Sequence, residues 1–139
     1  ILQGAKMMYA YCEATVPKLT VIMRKDFGGS YLVMNAKHIG GDVILAWPTA
    51  QVAVMGAEGA VEIIFRKEIA GADDKAEAKA RRVAEYNELF MSPRKAAERG
   101  FVDAVIDPVR TRWELLRHLE MIQSKEVPRP PRRNGNEPM

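Results

Sequence analysis

The chain has 139 residues, one cysteine, a net charge of +3, and 47% hydrophobic against 28% charged residues. This is one domain's worth of a soluble globular protein, and no apolar run approaches the ~20 residues of a spanning helix, which argues against an integral membrane protein. In the last sixteen residues Lys125, Arg129, Arg132 and Arg133 outweigh Glu126 and Glu137 by +2, so the body is close to neutral and lacks the clustered basic face of a nucleic-acid binder.

Ile1–Lys6 lacks the basic start and long apolar stretch of a signal peptide. The chain opens on Ile1 in helix-like sequence, which points to a piece of a longer polypeptide. Residues 4–15 read as a helix with Met8, Tyr11 and Cys12 on one buried stripe, and Cys12 as a buried structural thiol. A single thiol excludes an internal disulfide and a multi-cysteine zinc site, and fits a reducing compartment. Pro17 closes the helix, and Leu19–Met23 has the length and β-branching of a strand, broken by Arg24, Lys25 and Asp26. Phe27, Gly28, Gly29 and Ser30 follow, leading into apolar Tyr31–Met34.

Val43–Trp47, ended by Pro48, and Val52–Met55 are further short apolar runs. Gly56 opens a helix whose Ala57, Ala60, Val61, Ile64 and Phe65 share one face. The pattern strand, glycine, helix thus occurs twice, although no sequence repeat of 20–50 residues is visible. Residues 73–91 form a charged helix with Asp73 and Asp74 at its start. Ser92 and Pro93 suit the N-cap and N1 of a short helix ended by Gly100. Phe101–Ile106 reads as a last short strand or edge segment, and Pro108 to about Ser124 as a terminal helix burying Trp113, Leu115, Leu116, Leu119 and Ile122. Pro128, Pro130 and Pro131 make an extended tail. The elements fit an α/β or α+β layered domain at 1–124, incomplete at its N-terminal side, with an extended Pro/Arg-rich tail at 125–139.

The chemically suggestive stretch is the turn at Phe27–Ser30. Glycines let a backbone turn sharply and approach a ligand closely, and amides at a helix start are unpaired donors able to hold an oxyanion. Spacing alone does not separate this from a plain tight turn. His38 and His118 show no triad or metal spacing and read as surface or hydrogen-bonded structural residues. Asp42 reads as a turn or cap residue, and the Glu58/Glu62 pair as a solvated helix face. No phosphate-loop, dinucleotide or zinc signature is present.

The strings Gly28-Gly29-Ser30-Tyr31, Ala46-Trp47-Pro48-Thr49-Ala50-Gln51, Val52-Ala53-Val54-Met55-Gly56-Ala57, Ala96-Ala97-Glu98-Arg99-Gly100, Ile106-Asp107-Pro108 with Thr111-Arg112, and Gly135-Asn136-Glu137-Pro138-Met139 occur in one order along the chain. Together they closely resemble the carboxyltransferase (β) subunits of biotin-dependent acyl-CoA carboxylases, the propionyl-CoA carboxylase type, over essentially the whole chain. The resemblance implies a crotonase-like α/β fold, a superhelix of ββα units, and places the chain in the C-terminal, biotin-side part of the subunit. It implies carboxyl transfer from carboxybiotin, carried on a partner protein or domain, to the α-carbon of an acyl-CoA, giving a carboxyacyl-CoA such as methylmalonyl-CoA or a longer-chain analogue. Implied partners are the acyl-CoA, a biotin carboxylase or biotin carrier subunit, and further β subunits in a hexamer, with no nucleic acid and no membrane. The implied location is the bacterial cytoplasm, or the mitochondrial matrix in a eukaryote, and the fragment alone is expected to be inactive.

Carried onto this chain, the family pattern assigns the backbone amides of Gly29 and Ser30 to an oxyanion hole for the biotin ureido oxygen. It assigns Phe27, Gly28, Tyr31, Leu32, Trp47 and Pro48 to the substrate and biotin pocket, and no metal. Ser30 stands where many members have Ala, which leaves a backbone donor in place. Leu32 stands where short-chain enzymes often have Asp, which implies an altered preference for acyl length. Two other readings stay open: the transferase subunit of a biotin-dependent decarboxylase, and a non-catalytic assembly module.

Overall fold

A computed structural model describes residues 2–128 and Gly135. In chain order the elements are α1 (Leu2–Glu13), β1 (Leu19–Ile22), β2 (Lys25–Phe27), α2 (Gly29–Val33), a 3-10 turn (Lys37–Ile39), β3 (Val43–Ala46) and β4 (Gln51–Ala53). Then follow α3 (Ala57–Ile64), α4 (Arg66–Ala70), α5 (Lys75–Phe90), α6 (Pro93–Glu98), β5 (Ala104–Val105), a second 3-10 turn (Pro108–Arg110) and α7 (Thr111–Ile122). Among the described residues no helix is long and apolar enough to cross a membrane.

Among the described residues all strand pairs are parallel. One sheet has the order β1-β3-β5, and β2 pairs with β4 in a second. The segments β1–β2–α2 and β3–β4–α3 each send one strand to each sheet and then a helix, which makes two successive ββα units. Leu19 lies opposite Val43, 24 residues on (43 − 19), and Lys25 opposite Gln51, 26 on (51 − 25). A structural repeat therefore underlies a sequence in which none is visible. The two copies carry different residues because their places differ. Strand β3 is central and buried at all four positions, whereas only Ile22 is buried in β1, at the edge. The copies are joined turn to turn: Trp47 N–H donates to Ile22 O (2.9 Å), Gln51 N–H to Arg24 O (2.8 Å) and Gly28 N–H to Ala53 O (2.9 Å).

Alternation along β3 feeds two cores. Ile44 and Ala46 pack with Ile22, Ala50, Ala96 and Val102 on one side. Val43 and Leu45 pack with Ile106 on the other, under Trp47, Leu115 and Ile122. Each fully buried Ile or Leu side chain here contributes about 1.5–3 kcal/mol.

Local chemistry delimits the helices as expected. Asp74 Oδ1 accepts from Ala76 and Glu77 N–H (2.9 and 3.0 Å), Ser92 Oγ accepts from Arg94 N–H (3.3 Å) ahead of Pro93, and Gly100 leaves α6 at φ 77°. Asp42 ties segments together, accepting from Lys18 N–H and from Lys125 Nζ (both 2.8 Å). His118 Nδ1 lies 2.7 Å from Glu114 O, a structural contact, and Glu62 pairs with Lys79 on the surface.

Other expectations are corrected. No residue of α1 is buried and Cys12 is exposed, because within this chain the helix packs mainly on α2 and the first 3-10 turn. Lys25–Phe27 is a strand rather than a break: the chain changes sheets at Met23 and Arg24. The Val52–Met55 run starts one residue earlier as a strand and ends at Ala53, with Val54 exposed. In α3 Ala57, Ala60 and Val61 are buried, while Ile64 is exposed. Only part of the apolar stripe of α7 is inward. Leu115 and Ile122 pack beneath β3, but Leu116, Leu119 and Trp113 are exposed, and Trp113 lies between the guanidinium groups of Arg110 and Arg117 (4.7 and 5.4 Å from its ring). Residues 125–128 carry no helix or strand, and the expected extended tail from Arg129 on, apart from Gly135, lies outside the described residues.

Candidate active site

The end of β2 and the start of α2 are set by one glycine. Gly28 has φ 55°, and a Cβ there would stand 2.7 Å from Val54 O, so a side chain meets both a left-handed backbone and a neighbouring main chain. Its N–H extends the β2–β4 ladder to Ala53 O, and the chain then turns directly into α2. Gly29 and Ser30 occupy the first two helical positions, both exposed. Neither N–H has a hydrogen-bond partner among the described residues, as the start of a helix dictates. The Ser30 hydroxyl donates back to Phe27 O (2.6 Å), which leaves the amide as this residue's free donor. Gly29 differs from Gly28: its φ is unexceptional and no atom lies within 4 Å of where its Cβ would be. Among the described residues nothing requires glycine there.

Beside the turn lies a cavity of about 440 Å³. Gly28, Tyr31 and Leu32 form one wall and β4 with Val54 the floor. Tyr86, Leu89 and Phe90 of α5, Lys95, Ala96 and Arg99 of the α6 region, and His38 and Phe101 complete it. The aromatic side is built edge to face: Tyr31 meets His38 (5.8 Å, 83°) and Phe101 (6.5 Å, 69°), and His38 lies against Phe101 at 5.3 Å. The Tyr31 hydroxyl is buried with no partner among the described residues. Burial, and then the nearby Asp26 carboxylate, push its phenol above the ordinary range, so it stays a donor; burial likewise raises Asp26.

Of the residues expected in the pocket, Gly28, Tyr31 and Leu32 line this cavity, and Phe27 ends the strand beneath it. Trp47 and Pro48 do not line it. Trp47 Nε1 donates to Thr111 Oγ1 (2.9 Å), and its ring packs on the Val43–Leu45–Ile106 core. Pro48 is exposed in the turn between β3 and β4. Sequence reasoning missed Tyr86, Phe90, Lys95 and Phe101, and took His38 for a surface or structural residue. They come from separate segments, so no local spacing marks them; of the cavity's further walls, Val52, Ala53, Val54, Ala96 and Arg99 lie in the strings that carry the family resemblance.

The family model for the carboxyl transferase domain matches residues 1–137. The chain belongs to that family. The transcarboxylase 12S subunit, solved as a hexamer with methylmalonyl-CoA and methylmalonic acid bound, superimposes with a TM-score of 0.91 at 53% identity, over 98% of this chain and 26% of that one. The methylmalonyl-CoA decarboxylase subunit alpha of Veillonella parvula is 52% identical over 100% of this chain and 26% of its own length. The biotin-dependent acetyl-/propionyl-CoA carboxylase beta5 subunit of Mycobacterium tuberculosis (strain CDC 1551 / Oshkosh) is 49% identical, over 100% of this chain and 26% of its own. The chain thus spans about a quarter of each relative. The α/β ββα architecture of this carboxyl transferase domain is the crotonase-like fold that the resemblance implied.

Proposed function

We propose that the complete polypeptide moves a carboxyl group between carboxybiotin, carried by a partner, and the α-carbon of an acyl-CoA, and that this segment supplies the biotin side. The observation that carries the reading is the pair of unbonded amides, Gly29 and Ser30, on a bare, exposed turn beside an apolar cavity. Such a pair fits a ureido oxygen, which needs two donors and close backbone approach rather than a charged side chain. Bound biotin supplies the carboxyl group and, once relieved of it, a ring nitrogen basic enough to take the α-proton. Gly29 and Ser30 donate to the oxygen on which charge grows, Gly28 fixes the turn, and Tyr31 and Leu32 shape the wall beside it. The absence of a Cβ at Gly29, which this chain's packing does not demand, leaves room for that oxygen.

Leu32, partly exposed in the cavity wall, sets the acyl preference toward a longer or bulkier chain than propionyl, because it presents branched hydrocarbon and no charge. Transfer proceeds in a hexamer of β subunits, the assembly reported for transcarboxylase 12S. The 52% identity to a decarboxylase subunit supports a second direction for the same step, from carboxyacyl-CoA to biotin. Co-purification separates the two: an ATP-using biotin carboxylase partner marks a carboxylase, and a sodium-pumping membrane partner a decarboxylase. Gly29→Pro in the complete protein tests the reading. Proline is accommodated at the first position of a helix but removes the N–H, so kcat falls by about 10²–10³ with the fold kept. An unchanged kcat would overturn it.

A further inference from the structure

The cavity has a lopsided charge inventory. Two cations, Lys95 and Arg99, line it, and no Asp or Glu does. Lys95 is already engaged, its Nζ lying 2.9 and 3.3 Å from the two Glu98 carboxylate oxygens. The Arg99 guanidinium has no carboxylate, hydrogen-bond or aromatic-ring partner among the described residues. Of the other described arginines, Arg81 and Arg82 lie against Glu68, Arg82 also holds Glu85, and Arg110 and Arg117 lie against Glu114. The side chains of Arg24, Arg66, Arg94 and Arg112 also have no carboxylate or ring partner among the described residues, but none of them lines the cavity.

The backbone that carries Arg99 is firmly set. Gly100 N–H donates to Ala97 O and Phe101 N–H to Ala96 O (both 2.9 Å), while Ala96 is in the core and Phe101 packs against His38. An exposed, unpaired guanidinium at the edge of apolar walls, on a fixed helix end, suits a ligand that lays hydrocarbon on those walls and carries one carboxylate. Guanidinium and carboxylate match in a two-point fork, which gives the pair direction as well as attraction.

Resting on the carboxyl-transfer reading, we infer that Arg99 binds the free carboxylate of the carboxyacyl-CoA. It thereby distinguishes the carboxylated from the uncarboxylated acyl-CoA in a single site. The uncarboxylated substrate lacks the anion and gains nothing from the guanidinium, so Arg99 acts on the affinity of one side of the reaction only.

Calorimetric titration of the complete protein with methylmalonyl-CoA and with propionyl-CoA tests this for wild type, Arg99→Met and Arg99→Lys. The Met variant weakens methylmalonyl-CoA binding about tenfold or more, the size of a lost charge-assisted bond, and leaves propionyl-CoA within about twofold. The Lys variant restores part of the loss. Equal effects on the two ligands, or none on methylmalonyl-CoA, would overturn the assignment. The titration reads binding and not turnover. A wild-type protein that binds both ligands yet transfers no carboxyl group would sink the proposed function and leave the role of Arg99 to be decided by the titration alone.

Discussion

Two turns of this chain follow one pattern, strand then glycine then helix, and their geometries part company. At Gly28 the backbone is left-handed, a Cβ would strike Val54 O, and the helix that follows begins with exposed Gly29 and Ser30 beside a cavity. At Gly56 the backbone is ordinary extended (φ −62°, ψ 150°), and a Cβ would sit at normal contact distance, 3.6 Å, from the Phe27 ring. Its helix opens on buried Ala57 and carries Glu58 in its first turn, where a carboxylate discourages a bound anion. No acid stands in the first turn of α2. The same ββα unit thus buries the first residue of its helix in one copy and leaves it exposed beside a cavity in the other. What separates them is both the backbone at the glycine and what surrounds the first helical turn.

Substitutions sharpen that contrast in order of size. Gly29→Pro has the largest effect, the 10²–10³-fold loss in kcat anticipated above, with a melting temperature near that of wild type. Gly28→Ala lowers stability by about 1–3 kcal/mol through its left-handed backbone and the clash with Val54 O, read by denaturant unfolding, and activity falls with it. The two neighbouring glycines therefore separate chemistry from architecture. Leu32→Asp shifts the ratio of kcat/KM between longer-chain acyl-CoAs and propionyl-CoA toward propionyl-CoA, measured across a panel of acyl lengths; an unmoved profile would remove Leu32 from specificity. Gly56→Ala is the control and the smallest change, within about 0.5 kcal/mol in stability and with full activity, since its new methyl meets only the edge of Phe27. A large activity loss at Gly56 would erase the distinction between the turns.

Legibility in the sequence followed how local the cause was. The cap at Ser92-Pro93 and the stop at Gly100 depend on a few adjacent residues and stand as read, while the helix expected from Asp73 begins at Lys75, with Asp74 as its N-cap. The buried run at β3 was legible because a central strand must be apolar on both faces. The ββα repeat was hidden since β1 and β3 face different neighbours and so carry different residues. The apolar stripes of α1 and α7 overstated burial: the pattern announces a face that wants cover, and this segment covers only Leu115 and Ile122 of α7 among its large apolar residues. In the candidate site, Gly28 through Leu32 were readable as one contiguous string. Trp47 was drawn away by a hydrogen bond to Thr111, 64 residues downstream, and the cavity's aromatic and cationic walls come from segments that only the fold brings together.

The most direct test of the central claim is a structure of the complete enzyme with biotin bound. The account predicts the ureido oxygen about 2.7–3.1 Å from the amide nitrogens of Gly29 and Ser30, the distance of an oxyanion hole. A ureido oxygen held elsewhere, or these two amides bonded to another part of the polypeptide, would contradict it.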